Sequence, residues 1–224
     1  EDAFQAAFAE VAARFSFDWQ LHDAERKMRA AIMVSQGGHC LNDLLYRTST
    51  GRIAMEVTSV ISNHQTWQRR VEHEEVAFHY LPVTPQTKET QEAALVELLE
   101  TQNVDLVILA RYMQVLSDDL CRKWSGRIIN IHHSFLPGFK GAKPYHRAHD
   151  RGVKMVGATA HYVTGELDEG PIIAQDVSVV DHADSVDDLI AQGQDTESRV
   201  LARAVKAHIE HRVILNGNRT VVFK

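Results

Sequence analysis

The chain has 224 residues, enough for one α/β domain with a short additional segment but not for two average domains. Hydrophobic residues make up 44% and charged residues 24%, a composition that excludes an intrinsically disordered chain. The net charge of −6 provides no basic surface for a phosphate backbone, so we expect no nucleic acid partner.

The N-terminal segment predicts an amphipathic helix. Apolar side chains recur at helical spacing from Phe4 to Phe15, so residues 3–15 should form a helix with one apolar face. No basic leader precedes this segment, and no apolar run in the sequence approaches the roughly 20 residues that cross a bilayer. We therefore expect neither secretion nor a membrane partner.

Cys40 and Cys121 are the two cysteines of the chain, and neither belongs to a paired motif. Isolated cysteines favour free thiols in a reducing compartment. The predicted location is the cytoplasm.

Apolar runs and helical stretches alternate through the first 132 residues. The predicted strands are RAAIMVS (29–35), IAMEVTSVIS (53–62), VAFHYLPV (76–83), VDLVILA (104–110) and RIINIH (127–132). The predicted helices are LNDLLYR (41–47), which follows the glycine pair Gly37 and Gly38, QTWQRRVEHE (65–74) and TQEAALVELLETQ (90–102). This alternation predicts an α/β fold, an open, mostly parallel twisted sheet with helices on both faces.

The remaining chain predicts two more strands, a long helix and a hairpin. The strand-like runs are MVGATAHYVT (155–164) and PIIAQDVSVV (171–180), joined by an acidic, glycine-containing loop. Residues 185–212 form an amphipathic pattern of helical period. The last run, VILNGNRTVVF (213–223), contains Asn216-Gly217, which predicts a C-terminal hairpin with a type I′ turn.

The end of the strand RIINIH carries polar side chains that a buried strand does not need. Asn130 and His132 should project to one face, with Ile131 and His133 on the other. An amide can donate to an oxyanion and an imidazole can move a proton near neutral pH, which suits acyl transfer. The alternative is that both side chains only cap the strand end.

The loop GELDEGP offers three acids, Glu166, Asp168 and Glu169. Any of them could orient a water molecule or pair with a histidine, and spacing alone does not choose among them. The alternative is an ordinary solvated turn, which most loops of acids and glycines are.

Long stretches of the sequence together resemble the folate-dependent formyl-group enzymes, and specifically the formyltetrahydrofolate deformylases. The stretches that carry the resemblance are SQGGHCLNDLLYR, VISNH, LPVTPQTKETQE, LVILARYMQVLS, NIHHSFLPGFKG, AHYVTGELDEGPII and HRVILNGNRTVVF. They cover most of the chain in order, which makes the resemblance more specific than any single motif. It implies the formyltransferase-like, Rossmann-related form of the predicted fold.

The resemblance also implies an activity and its residues. The reaction would be hydrolysis of 10-formyltetrahydrofolate to formate and tetrahydrofolate, which supplies formate for purine synthesis and balances one-carbon folate pools. Asn130 would hydrogen-bond the oxyanion, His132 would act as acid or charge stabiliser, and Asp168 would position His132 and the attacking water. No metal and no cofactor would be needed. The implied substrate-binding residues are Arg111, Tyr112, Met113, Gln114, Val115, Leu116, Gly141, Val163, Thr164, Gly165, Glu166 and Leu167.

Two departures qualify the resemblance. The glycinamide ribonucleotide formyltransferases carry small polar residues after the first strand, whereas here His39 and Cys40 follow the glycines. This difference favours water as acceptor over an amine, although a formyltransferase remains an alternative. The second departure is at the N-terminus, where residues 1–27 resemble only the last helix and linker of a regulatory domain of the ACT type, ahead of a catalytic domain at 28–224.

Three rival hypotheses also fit parts of the sequence. The thirteen histidines permit a zinc hydrolase, but the sequence has no HExxH motif, and His146 and His149 fit the surface of a helix. Cys40 at a helix N-terminus could be a nucleophile. A non-catalytic folate-binding module is the rival of another class.

The N-terminal helix bears on assembly. Its apolar face needs a cover, which the catalytic domain or another subunit could provide. We therefore predict a homo-oligomer.

Overall fold

Five apolar runs of the first half of the chain form the parallel part of one sheet. The computed structural model of the chain describes residues 2–138 and 144–224. The parallel strands are β1 (Met28–Val34), β2 (Met55–Ser62), β3 (Ala77–Tyr80), β4 (Leu106–Leu109) and β5 (Ile128–His132). Every residue of β4 is buried, as expected for a strand covered on both faces.

Two later strands extend this sheet with the opposite direction. β6 (Met155–Tyr162) pairs antiparallel with β5, and β7 (Ile172–Val179) pairs antiparallel with β6. The strand order is β3-β2-β1-β4-β5-β6-β7. The predicted mostly parallel sheet is confirmed.

Helices cover both faces of the sheet. The helices are α1 (Asp2–Phe15), α2 (His39–Ser49), α3 (Gln68–His73), α4 (Lys88–Thr101), α5 (Asp118–Lys123), α6 (Pro144–Asp150) and α7 (Val186–Ile209). One hydrophobic core joins the sheet to α2 and α7, and a second core on the opposite face joins it to α4 and α5. None of the helices among the described residues is long and apolar enough to span a bilayer.

Local sequence explains how the helices begin. At α7, Ser185 accepts from the backbone of Asp188 and the Asp188 carboxylate accepts from Ser185, which forms a capping box. At α5, Ser117 accepts from the Leu120 backbone. The sequence analysis did not predict the six-residue helix α5.

The C-terminal hairpin is present, but its turn differs from the prediction. β8 (Val213–Asn216) pairs antiparallel with β9 (Arg219–Val222), with Asn216 opposite Arg219. The turn residues are therefore Gly217 and Asn218, and of these two only Gly217 has a positive φ, +59°. The predicted type I′ turn is wrong, because that turn needs positive φ at both central residues, whereas a glycine at the first position fits type II′.

The topology creates a crevice at the carboxyl ends of the parallel strands. The chain leaves β3 at the sheet edge and returns to β4 on the other side of β1, so the connections after β1 and β4 diverge. Ligands in open α/β sheets bind where the strand order reverses, beyond the carboxyl ends of the strands. A pocket of about 730 Å³ lies there, next to the ends of β4 and β5.

Candidate active site

Two side chains at the end of β5 line this pocket. Asn130 and His132 lie two residues apart on the strand, while Ile131 packs into the core shared with α2 and α7. This part of the predicted alternation is confirmed. His133 follows the last residue of β5, so its predicted orientation toward the side of Ile131 stays a prediction. The His133 ring stacks on His132, with ring centroids 4.9 Å apart, and lines the same pocket.

Asp168 reaches this pair from the loop between β6 and β7. Its Oδ1 lies 3.2 Å from Nδ1 of His132, and its side chain is only 15% exposed. Glu166 and Glu169 in the same loop are exposed. Asp168 has a φ of +58°, a conformation that aspartate adopts more readily than most residues. The structure thus brings the three predicted side chains together, while their catalytic roles stay predictions.

His161 on β6 joins the three. It lies opposite Asn130 in the β5–β6 ladder, and its Nε2 is 3.3 Å from Nδ2 of Asn130 and 3.7 Å from Oδ1 of Asp168. Nδ1 of His161 lies 2.9 Å from the carbonyl oxygen of Tyr162, which can only accept, so Nδ1 carries a proton. In the neutral ring Nε2 then accepts from the Asn130 amide, which fixes the orientation of that amide.

The electrostatics of this group keep Asp168 ionised. The hydrogen bond from His132 and the neighbouring His161 lower the pKa of Asp168 well below its usual value, against the opposing effect of burial. Nε2 of His132 is buried, and among the described residues it has no hydrogen-bond partner. A buried polar atom without a partner calls for an explanation, and here its residue lines the pocket, where a ligand could supply the partner.

The two segments predicted to hold the folate both line the pocket. Residues 111–116 follow β4 and residues 163–168 follow β6, and every residue of both segments lines the pocket. The first segment is held by Ser35, whose Oγ accepts from the Met113 backbone. Gly141, the remaining predicted binding residue, lies outside the described residues.

A second group of side chains lies in the same pocket, away from Asp168. We call it the Glu197 cluster, and it consists of His39, Arg111, Tyr145 and Glu197. The Glu197 side chain on α7 is 1% exposed. It accepts from Tyr145 Oη at 2.6 Å on one oxygen and from His39 Nε2 at 2.8 Å on the other. Nε of Arg111 lies 3.4 Å from the second oxygen.

Charge and hydrogen bonds stabilise the buried carboxylate. Burial alone would raise the pKa of Glu197, but the hydrogen bond from His39 and the charge of Arg111 outweigh it and lower the pKa. Burial and the nearby Glu197 charge raise the pKa values of both Tyr145 and Cys40. Cys40 is therefore a protonated thiol, which argues against its alternative role as a nucleophile.

Among the described residues, one group has the spacing of a metal site. Ligand atoms of His39, Cys40 and Glu197 lie within 4.8 Å of one another. The Glu197 carboxylate is not available as a metal ligand, since it already accepts hydrogen bonds from two side chains and Arg111 adds a positive charge beside it. His146 and His149 are exposed on α6, as predicted for a surface feature.

Several residues of this pocket were missed as site members by the sequence analysis, among them Tyr145, His161 and Glu197. His161 lies within an almost fully buried strand, where a polar side chain needs a partner. Glu197 falls on the buried stripe of α7, at helical spacing from Gly193 and Leu201. A charged residue on an apolar helix face is the signal that could have identified the Glu197 cluster.

Comparison with known proteins agrees with this geometry. The family model described as formyl transferase matches residues 28–205. The formyltetrahydrofolate deformylase of Corynebacterium sp. (strain P-1) is 55% identical over 223 residues, which cover 100% of this chain and 78% of that protein.

Solved structures give the same result. A formyltetrahydrofolate deformylase from Pseudomonas syringae superimposes with a TM-score of 0.96 at 48% identity, covering 100% of this chain and 75% of that chain. A glycinamide ribonucleotide transformylase from Symbiobacterium toebii gives a TM-score of 0.83 at 32% identity, covering 92% of this chain and 99% of that chain. From the family match and these identities, the chain belongs to the formyl transferase family and, within it, to the formyltetrahydrofolate deformylases.

Proposed function

We propose that this protein hydrolyses 10-formyltetrahydrofolate to formate and tetrahydrofolate, and so supplies formate for purine synthesis. The observation that carries the proposal is the state of His132. Its Nδ1 is held by Asp168, whereas its buried Nε2 is left without a partner among the described residues, in a pocket that Asn130 also lines. Membership of the deformylase family supports the same reaction.

The proposed reaction begins with attack of water on the formyl carbon. His132 Nε2 takes the proton that the water loses, and the ionised Asp168 stabilises the imidazolium. Asn130 donates one N–H to His161 and has a second N–H for the oxyanion of the tetrahedral intermediate. The intermediate collapses when the bond to the folate nitrogen breaks, and His132 returns the proton to that nitrogen. The formyl carbon keeps its oxidation state, so the proposal includes no redox cofactor.

The binding mode is part of the proposal. The pterin ring would lie between the 111–116 and 163–168 segments, whose residues line the pocket. Tyr112 and Leu116 are buried, which gives one wall an apolar base for a planar ring.

Location and assembly remain inferences. The two cysteines are buried and free, which fits a cytoplasmic protein. Phe4 and Phe15 of α1 are each 57% exposed, which fits an additional partner surface and a homo-oligomer. The assignment of residues 1–27 to an ACT-type domain also stays a prediction.

A formate assay tests the proposed function. Purified protein is mixed with 10-formyltetrahydrofolate, and formate and tetrahydrofolate are measured in parallel. Equal amounts of both products are expected from the wild type, with strongly reduced amounts from Asn130→Ala and Asp168→Ala. A folded wild type that binds the folate without releasing formate would be a binding module and would refute the proposal. Repetition after exhaustive chelation separates it from the zinc alternative, which requires the activity to disappear.

A further inference from the structure

The two ends of the pocket differ in how much bonding capacity they leave for a ligand. At the Glu197 cluster both oxygens of the carboxylate are already bound, one by Tyr145 and the other by His39 with Arg111 close by. Tyr145 is pressed against α7, since a Cβ at Gly193 would lie 2.2 Å from its ring. The donors around Glu197 are therefore fixed by packing.

This saturation matters for the choice of acceptor. A primary amine arrives largely as an ammonium ion and needs a carboxylate or another acceptor to bind before it loses a proton. The carboxylates that line the pocket within the described residues belong to Glu166, Asp168 and Glu197. Glu166 is exposed, Asp168 is bound to histidine, and Glu197 is neutralised by a guanidinium. Water is uncharged, so it needs no carboxylate to balance a positive charge when it binds.

Arg111 also reaches from Glu197 toward the reacting groups. Its backbone has a φ of +65°, and its carbonyl oxygen accepts from the Ser35 backbone at 3.1 Å. Its guanidinium hydrogen-bonds Nδ1 of His133, whose ring stacks on His132. The cation is thus placed one imidazole ring away from the proposed catalytic histidine, where it repels an ammonium ion.

His39 and Arg111 share the space beside Gly37. A Cβ at Gly37 would lie 3.8 Å from both the Arg111 Cβ and the His39 ring. Both side chains line the pocket that Asn130 and His132 also line. An acceptor larger than water that enters from the side of the turn after β1 would therefore meet them.

We propose that His39 and Arg111, fixed by Glu197, determine the acceptor specificity of this site by blocking amines and leaving water as the nucleophile. This inference rests on the proposed function. It assigns Glu197 and Tyr145 as positioning residues, which act through the two blocking side chains. Removal of the block should convert part of the hydrolysis into formyl transfer.

The transfer reaction uses the same groups with one nucleophile exchanged for another. The amine nitrogen forms a bond to the formyl carbon, and the bond from that carbon to the folate nitrogen breaks. The proton lost by the amine passes through His132 to the folate nitrogen. The products are a formamide and tetrahydrofolate, so no oxidant or further reactant is consumed.

The double variant His39→Ala/Arg111→Ala tests this inference with glycinamide as the amine. The ratio of N-formylglycinamide to formate is measured against glycinamide concentration, with the uncatalysed reaction subtracted. An increase of about tenfold in this ratio over wild type is expected, the equivalent of about 1.4 kcal/mol of discrimination. A double variant that releases formate at the wild-type ratio would overturn the proposal.

Matched variants separate specificity from general damage. Glu197→Gln in the double-variant background removes the carboxylate that would bind the amine, so the gain should disappear. Arg122→Ala, a change at an exposed arginine on α5, should keep the wild-type ratio. If the double variant does not fold, His39→Ala alone should raise the ratio about threefold, by about 0.7 kcal/mol, and no rise would contradict the inference.

The outcome is distinguishable from failure of the proposed function. A wild type that releases no formate refutes the deformylase proposal before any ratio can be compared. A wild type that releases formate, beside a folded variant with an unchanged ratio, refutes only the role of His39 and Arg111.

Discussion

The two ends of the pocket contain similar residue types in opposite states. At one end, Asp168 and His132 form a pair in which Nε2 of the histidine remains without a partner among the described residues. At the other end, Glu197 and His39 form a pair whose carboxylate is bound on both oxygens. Both carboxylates have a lowered pKa, so both pairs include a stable anion.

This difference shows how one pocket can use one group of side chains for the reaction and another to select the acceptor. A histidine with a free nitrogen can exchange a proton with a substrate, whereas a saturated carboxylate can only hold its neighbours in place. The Asp168 end therefore fits the reaction and the Glu197 cluster fits the shape and charge of the acceptor region. Substitutions at the two ends should accordingly affect different measurements.

Asp168→Asn should give the largest effect, on turnover. The amide offers one acceptor oxygen instead of two and carries no charge, so it stabilises neither the required His132 tautomer nor the imidazolium. We expect kcat for formate release to fall about 10³-fold, while circular dichroism shows a native fold. Asp119→Asn is the matched control, since that carboxylate is 91% exposed on α5 and should retain activity within about twofold. Activity above a tenth of wild type for Asp168→Asn would end the proposed role of Asp168.

Glu197→Ala should affect stability before it affects chemistry. It leaves the Arg111 charge and the Tyr145 hydroxyl without their buried acceptor. Breaking a buried pair from one side typically costs several kcal/mol, and we expect about 3 kcal/mol less free energy of unfolding in urea. Glu100→Ala provides the surface comparison, because that side chain is 54% exposed. A loss below about 0.5 kcal/mol would show that the Glu197 cluster does not hold the pocket together.

The stability contributed by the Glu197 charge should depend on pH. Its pKa is lowered in the folded state from the ordinary value of 4.5, so acid protonates the unfolded chain first. The contribution is complete well above pH 4.5 and is lost as the pH falls below that value. The difference in unfolding free energy between wild type and Glu197→Gln should therefore be smaller at pH 4 than at pH 7. An unchanged difference would mean that neutral hydrogen bonds, rather than charge, stabilise the cluster.

Sequence periodicity predicted most of the sheet because its central strands are apolar and buried on both faces. VDLVILA and RIINIH became the central strands β4 and β5. The elements that escaped were those without a period, such as the six-residue helix α5. The hairpin was predicted correctly, but its turn type depends on which two residues lie between the paired strands, and composition does not determine that register.

The site was predictable only in part, for a physical reason. Strand alternation paired Asn130 with His132, since both lie on one element. Asp168 could be selected from the three acids of its loop only through family resemblance. Which of these acids reaches the histidines depends on where the loop backbone turns, and spacing in the sequence does not determine that. Contacts between distant segments, such as Glu197 with His39, depend on tertiary packing that no local pattern encodes.

Cys40→Ser should give the smallest effect. It tests whether the residues beside the Glu197 cluster take part in the reaction. Cys40 adjoins His39 at the start of α2, a position that can activate a thiol, but burial and the Glu197 charge raise its pKa. The thiol therefore stays protonated and takes no part in hydrolysis. We expect kcat to remain within about twofold of wild type, with a stability loss of roughly 1 kcal/mol from the buried hydroxyl. A hundredfold loss of formate release in a natively folded Cys40→Ser protein would place a nucleophile beside Glu197, and the Glu197 cluster would then belong to the chemistry rather than to acceptor selection.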